Sequence, residues 1–251
     1  MGIYFIFVTY KDLEINILDI ISLKNTFILC SLIFVGTSLF GFAWARTFKS
    51  NNTFRLLEII KFYFQGQLGK YIPGSVWSIV GRIGLVTNEN ITKETATKNT
   101  VRHLALLWTV CLIFGSVLFL NNLNVIILFL LINIFFIYKS KNLLFYLIGW
   151  TFIGTSYLYL AEILNYSQLL NFKFAGSALL SWFGGFIFIP APSGIGIREF
   201  LLNFIYDSNL TINEIYIITT IMRIATILND FIGFIIYTVI TQFININKKN
   251  D

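Results

Sequence analysis

Two short stretches of this chain concentrate the residue types that bind a charged group. The first runs Gln65-Gly66-Gln67-Leu68-Gly69-Lys70-Tyr71-Ile72-Pro73-Gly74-Ser75-Val76-Trp77 and is followed by Arg82. The second runs from Gly184 through Pro190, Pro192, Ser193, Gly194 and Gly196 to Arg198-Glu199. All three prolines of the chain lie in these two places. Proline removes a helix donor and glycine permits positive φ, so both stretches are expected to break helix. A half-helix starting at the following Ser and Gly positions directs its N–H groups into the break, an arrangement suited to an anion. Lys70, Arg82 and Arg198 add full positive charge there. The candidate headgroup-binding set is therefore Lys70, Pro73, Gly74 and Arg82 from the first break, with Pro192, Ser193, Gly194, Gly196, Arg198 and Glu199 from the second. Arg223 and Asp230 complete it from the last apolar stretch. The competing reading makes both stretches ordinary loop turns with interfacial, snorkelling arginines.

Glu199 fits either a proton-coupling carboxylate or a partner for a basic group, and pairing is the commoner role for intramembrane charge. Arg223 and Asp230 are seven residues apart on one helix face. They either pair with Arg198 and Glu199 or bracket a break. Arg102-His103 reads as headgroup-level, and Trp108 and the run Trp150 to Tyr159 as lipid-facing belts or packing rather than a ligand cage. The one histidine cannot build a His/Cys metal cluster, and Cys30 and Cys111 read as small buried hydrophobes. No acids fall in a D-x-D or E-x-x-E arrangement near the breaks, which argues against transferase chemistry. Neither metal nor cofactor is expected.

The elements that position these residues must sit in lipid. Hydrophobic residues are 57% of the chain and charged residues 12%, against roughly 45–50% and about 25% in soluble proteins. Mean hydropathy is +0.77, with 27 Phe. Six stretches enter or cross the bilayer in this reading: Phe27 to Ala45, Phe54 to Gly69, Leu104 to Tyr138, Leu143 to Ala161, Phe174 to Ile189, and Ile215 to Ile246 interrupted by Arg223 and Asp230. The uncharged Leu104 to Tyr138 is too long for one crossing of a ~30 Å core, and Asn121, Asn122 and Asn124 divide it into a hairpin. Met1 to Tyr10 looks like the stub of a helix, not a signal peptide. The net charge of +6 fits basic loops against anionic headgroups and excludes nothing else, nucleic acid being the poorer reading in so apolar a chain. Arg46, Lys49, Arg55, Lys61, Lys139, Lys141, Lys248 and Lys249 fall on one side, which the positive-inside rule makes cytoplasmic together with the C-terminus.

The order of elements repeats. The crossings Phe27 to Ala45 and Leu143 to Ala161 are offset by 116 residues, as are Arg82 and Arg198. The expected fold is an all-α polytopic membrane bundle, one domain over 1–251, with two re-entrant or broken hairpins in an inverted repeat. Repeat 1 spans about 27–120, a connecting helix about 122–138, and repeat 2 about 143–246. This plan is common among secondary transporters.

Together the stretch Leu68 to Gly74 with Trp77 and Arg82, the stretch Pro192 to Glu199, and Arg223 resemble the lysylphosphatidylglycerol synthase transmembrane-region family. That resemblance implies a flippase-like integral membrane protein of a bacterial or archaeal cytoplasmic membrane, handling an anionic phospholipid or a polyprenyl-phosphate-linked lipid in envelope biogenesis. The chain departs from the family in its first crossing, reduced to Met1 to Tyr10, and in Arg102-His103 where many members have glutamate. No soluble aminoacyl-transferase domain follows, so a non-enzymatic transporter is expected. The alternatives are an accessory subunit of a polysaccharide- or lipid-modifying enzyme and, third, a glycosyl- or acyl-transferase. A second copy or an envelope-synthesis enzyme are the protein partners compatible with these readings.

Overall fold

The computed structural model describes residues 22–48, 53–72, 76–87, 91–129, 141–188, 194–206 and 211–250. No strand occurs among them; the architecture is helical throughout. In chain order the helices are α1 (Leu23–Ala45), α2 (Thr53–Gln67), α3 (Trp77–Thr87), α4 (Lys93–Phe119), α5 (Lys141–Ile163), α6 (Phe172–Ile187), α7 (Ile197–Tyr206) and α8 (Ile212–Asn250). Helices α1, α4, α5 and α8 are long and apolar enough to cross a membrane, while α3 and α6 are apolar but shorter.

Local chemistry sets the boundaries. Ser22, Thr92 and Asn171 cap α1, α4 and α6, each side chain accepting from the backbone N–H three residues on. Thr211 and Glu214 form a reciprocal capping box at the start of α8: Thr211 N–H donates to Glu214 Oε2 at 2.7 Å, and Glu214 N–H to Thr211 Oγ1 at 3.4 Å. Helix α4 ends at a turn whose Asn121 has φ 49°. Asn122 Oδ1 then accepts from the N–H groups of Asn124 and Val125 and opens a helical stretch over 123–129. The division expected at this asparagine cluster is therefore present. Most of the connecting helix and all of Met1 to Tyr10 lie outside the described residues.

The packing places α1 along α5, α2 against α8, and α6 against α4. Helices α2 and α3 pack on each other, as do α6 and α7. The α1–α5 crossing is close because it is built on glycine. A Cβ at Gly36 would stand 2.9 Å from the Gly149 carbonyl oxygen, and one at Gly149 would overlap the Phe40 ring. Small residues let helices approach in lipid, where association depends on contact rather than on expelling water. A buried aromatic layer follows this seam: Trp44, Tyr63, Phe64, Tyr146 and Trp150 are each 0% exposed.

Two expectations are corrected here. Helix α8 runs unbroken through Arg223 and Asp230, so these residues do not bracket an interruption. His103, expected at the headgroup level, is enclosed by the protein rather than facing its surroundings. It is fully buried against Trp44, Tyr63 and Tyr146, with Nδ1 2.8 Å from the Tyr146 hydroxyl, while Arg102 is exposed. The four apolar helices and the buried polar residues in this bundle have one common explanation: lipid outside, a polar interior.

Candidate functional site

After Gln67 the α2 chain tightens into a 3₁₀ turn over Leu68–Tyr71 and then becomes extended at Ile72. That turn lifts Lys70 and Tyr71 off the helix path and aims both at α8. Lys70 Nζ lies 2.6 Å from Asp230 Oδ2, and the Tyr71 hydroxyl donates to the same oxygen at 2.6 Å. Asp230 is 0% exposed, and its other oxygen has no hydrogen-bond partner among the described residues.

The second break is built differently but ends in the same way. Gly194 and Gly196 have φ of 71° and 85°, a left-handed conformation that glycine adopts freely. They turn the chain into α7, where Glu199 sits in the first turn and accepts from the Gly196 N–H at 2.8 Å. Its other oxygen, Oε1, is 2.9 Å from Arg223 Nη2 on α8. The two groups are in charge contact but off the line of a hydrogen bond, since Nη2 has no aligned acceptor. Each break is thus tied to α8 by one buried ion pair. Glu199 is a pairing carboxylate, and its partner is Arg223.

Among the described residues, Arg82 and Arg198 have no such carboxylate. Arg82 is 1% exposed; its Nε donates to the Ser78 carbonyl at 3.0 Å, and its guanidinium lies over the rings of Tyr63 and Trp44, 5.1 and 5.9 Å from their centroids. Arg198 lies over Trp182 at 5.3 Å. Aromatic faces attract cations but leave the in-plane N–H groups available. Arg82 Nη1 and Arg198 Nε are buried without hydrogen-bond partners among the described residues. Both arginines depend on glycine for room: a Cβ on Gly66 would overlap the Arg82 side chain, and one on Gly185 the Arg198 side chain.

All four cationic side chains, Lys70, Arg82, Arg198 and Arg223, line one cavity. Its walls also carry Tyr63, Gln67, Tyr71, Trp150, Tyr157 and Trp182, and its free volume is about 50 Å³. That is room for a few water-sized groups. No family model, curated protein or solved structure matches this chain. The site is read from its own chemistry.

Among the sequence-derived candidates, Lys70, Arg82, Gly194, Arg198 and Arg223 line the cavity, and Glu199 and Asp230 pair with its cations. Gly196 is exposed and serves as the donor to Glu199. Pro73, Gly74, Pro192 and Ser193 lie outside the described residues. The structure adds what the sequence reading left out. Trp150 and Tyr157, read as belt or packing residues, line the cavity, as do Tyr63, Gln67, Tyr71 and Trp182. One signal was available for two of them: Tyr63 stands three residues before Gly66, and Trp182 three before Gly185. Residues so spaced share a helix face, which puts ring and arginine slot side by side. Among the described residues no three His, Cys, Asp or Glu side chains gather as a metal site.

Proposed function

We propose that this chain is a membrane transporter that moves a lipid with an anionic headgroup across the bilayer. One observation carries the reading: Arg82 and Arg198, from opposite breaks, reach one interior cavity with N–H groups unpaired and no carboxylate of their own among the described residues. Burying a guanidinium among apolar helices is costly unless an anion balances it. A headgroup phosphate between the two arginines supplies that balance, while its tails stay in lipid.

The inverted repeat belongs to this proposal, and three correspondences support it. The ring–glycine pairs Tyr63/Gly66 and Trp182/Gly185 are offset by 119 residues. The helix contacts correspond under exchange of halves: α2 lies on α8 as α6 lies on α4. At the α1–α5 seam Gly36 abuts Ile153 and Gly149 abuts Phe40, a reciprocal contact under an offset of 113, the pattern a two-fold axis produces. With α2–α3 and α6–α7 as re-entrant hairpins, the halves rock about this seam and expose the cavity to each face in turn. The proposed location is a bacterial or archaeal cytoplasmic membrane with the C-terminus cytoplasmic, and the flippase family resembled in sequence is the proposed kinship.

The test is reconstitution into vesicles carrying a labelled anionic lipid. Wild-type protein speeds its movement between leaflets, and Arg82→Ala and Arg198→Ala each slow it by about tenfold or more, the scale of one lost buried charge contact. Equal rates with and without wild-type protein overturn transport. Unchanged rates in both variants overturn the assignment of the arginines.

A further inference from the structure

Resting on that reading, we infer that the cavity selects a phosphomonoester, a headgroup that is a bare phosphate dianion, over the phosphodiester headgroup of common phospholipids. Charge and size argue for it separately.

The charge argument counts the cavity's own groups. Lys70, Arg82, Arg198 and Arg223 are four cations, and Asp230 and Glu199, their partners in ion pairs, are two carboxylates. Among the described residues two positive charges remain in excess. A phosphomonoester carries about −1.5 to −2 near neutral pH. It cancels the excess, whereas a phosphodiester with a single negative charge leaves one cation unbalanced in a low-dielectric interior, where Coulomb energies are large. The excess is also correctly distributed. The charges of Lys70 and Arg223 are already balanced by carboxylates, and the two arginines without one among the described residues approach from different helices. Guanidinium groups can each bond two oxygens of one phosphate. A monoester has three terminal oxygens to share between two such groups; a diester has two.

The size argument is independent. About 50 Å³ of free volume holds a few water-sized groups. A terminal phosphate is of that order. A phosphate with a glycerol, sugar or amino substituent attached exceeds that volume, so the substituent has to extend beyond the walls formed by Tyr63, Trp150, Tyr157 and Trp182.

The experiment measures binding to the purified full chain in neutral-lipid nanodiscs. The probes are phosphatidic acid and phosphatidylglycerol with matched acyl chains, a long-chain alcohol monophosphate, and inorganic phosphate as competitor. At pH 8 the two monoester lipids bind about tenfold or more tighter than phosphatidylglycerol, one Coulombic mismatch being enough for that ratio. Their advantage shrinks at pH 5, below the second ionisation near pH 6, while phosphatidylglycerol binding changes little over the same range. Arg82→Gln and Arg198→Gln each remove one excess charge and erase the monoester preference. The wild-type pH comparison decides the matter even if a variant does not fold. Phosphatidylglycerol binding as tightly as phosphatidic acid at pH 8 overturns the selectivity and leaves anionic-lipid transport standing. Failure of every lipid to bind overturns both. Displacement of the lipids by inorganic phosphate at equal concentration assigns the site to free phosphate and overturns the lipid ligand.

Discussion

Asp230 shows how few groups hold this interior together. One carboxylate oxygen takes both the Lys70 ammonium and the Tyr71 hydroxyl, with Asp230 and Lys70 buried and Tyr71 half-buried. Breaking a buried pair by removing one member leaves an uncompensated charge, at about 3–5 kcal/mol, whereas replacing both members with apolar residues is often neutral. Lys70→Met and Asp230→Leu are accordingly expected to lower thermal stability sharply as single changes. The double variant recovers most of the loss. Additive losses in the double variant, read from melting curves of the purified proteins, would show that the two residues act separately. The charged residues of this site were legible in the sequence because charge is scarce there, at 12% of residues. Once lipid is the solvent, each interior charge stands out. The aromatic partners were not legible for the opposite reason. Aromatic residues are 18% of the chain, so no single Trp or Tyr marks a position. Which ring lies under Arg82 depends on the helix crossing, and so does the burial of His103 beside an exposed Arg102.

At the level of helices, Ser22, Asn171 and the Thr211–Glu214 pair cap helices close to where their apolar runs begin, whereas Thr92 caps α4 well before its uncharged run at Leu104. Helix α8 departs from the pattern in one respect, since Arg223 and Asp230 lie inside its apolar run without interrupting it. Charge breaks a membrane helix only when nothing compensates it, and here the compensating residues come from distant segments, Lys70 and Glu199. Close approach is the other helix-level property. Gly149 meets the Phe40 ring and Gly36 meets the Gly149 carbonyl, so α1 and α5 touch through backbone. Gly149→Val should push the helices apart and destabilise the protein by about 1–3 kcal/mol, as overpacking typically does. Val at Gly84, with open space around its Cβ position, is the control. Equal melting temperatures for the two variants would remove the seam from the account of stability.

The whole molecule makes a prediction about sidedness. In an inverted repeat α1 and α5 cross the membrane in opposite directions. Arg46 follows α1, Gln168 follows α5, and both are exposed. Single cysteines at these positions, in a background with Cys30 and Cys111 replaced, should therefore differ toward an impermeant maleimide added to intact cells. The reagent labels position 168 and spares position 46. Labelling of both, or of neither until the cells are opened, would mean a parallel arrangement. The spacing of prolines and arginines hints at the proposed plan. It could not give the reciprocal contacts of Gly36 and Gly149, because those exist only once two helices 113 residues apart have met.

The unbroken course of α8 has a mechanical meaning. Arg223 and Asp230 ride on one rod, separated by seven residues and so by about 10 Å along its axis. Glu199 grips the rod at one point and Lys70 at the other. A rigid rod held at two points cannot slide past one grip while staying still in the second. An axial shift of α8 against the rest of the bundle therefore strains both ion pairs at once, so the two contacts resist it together.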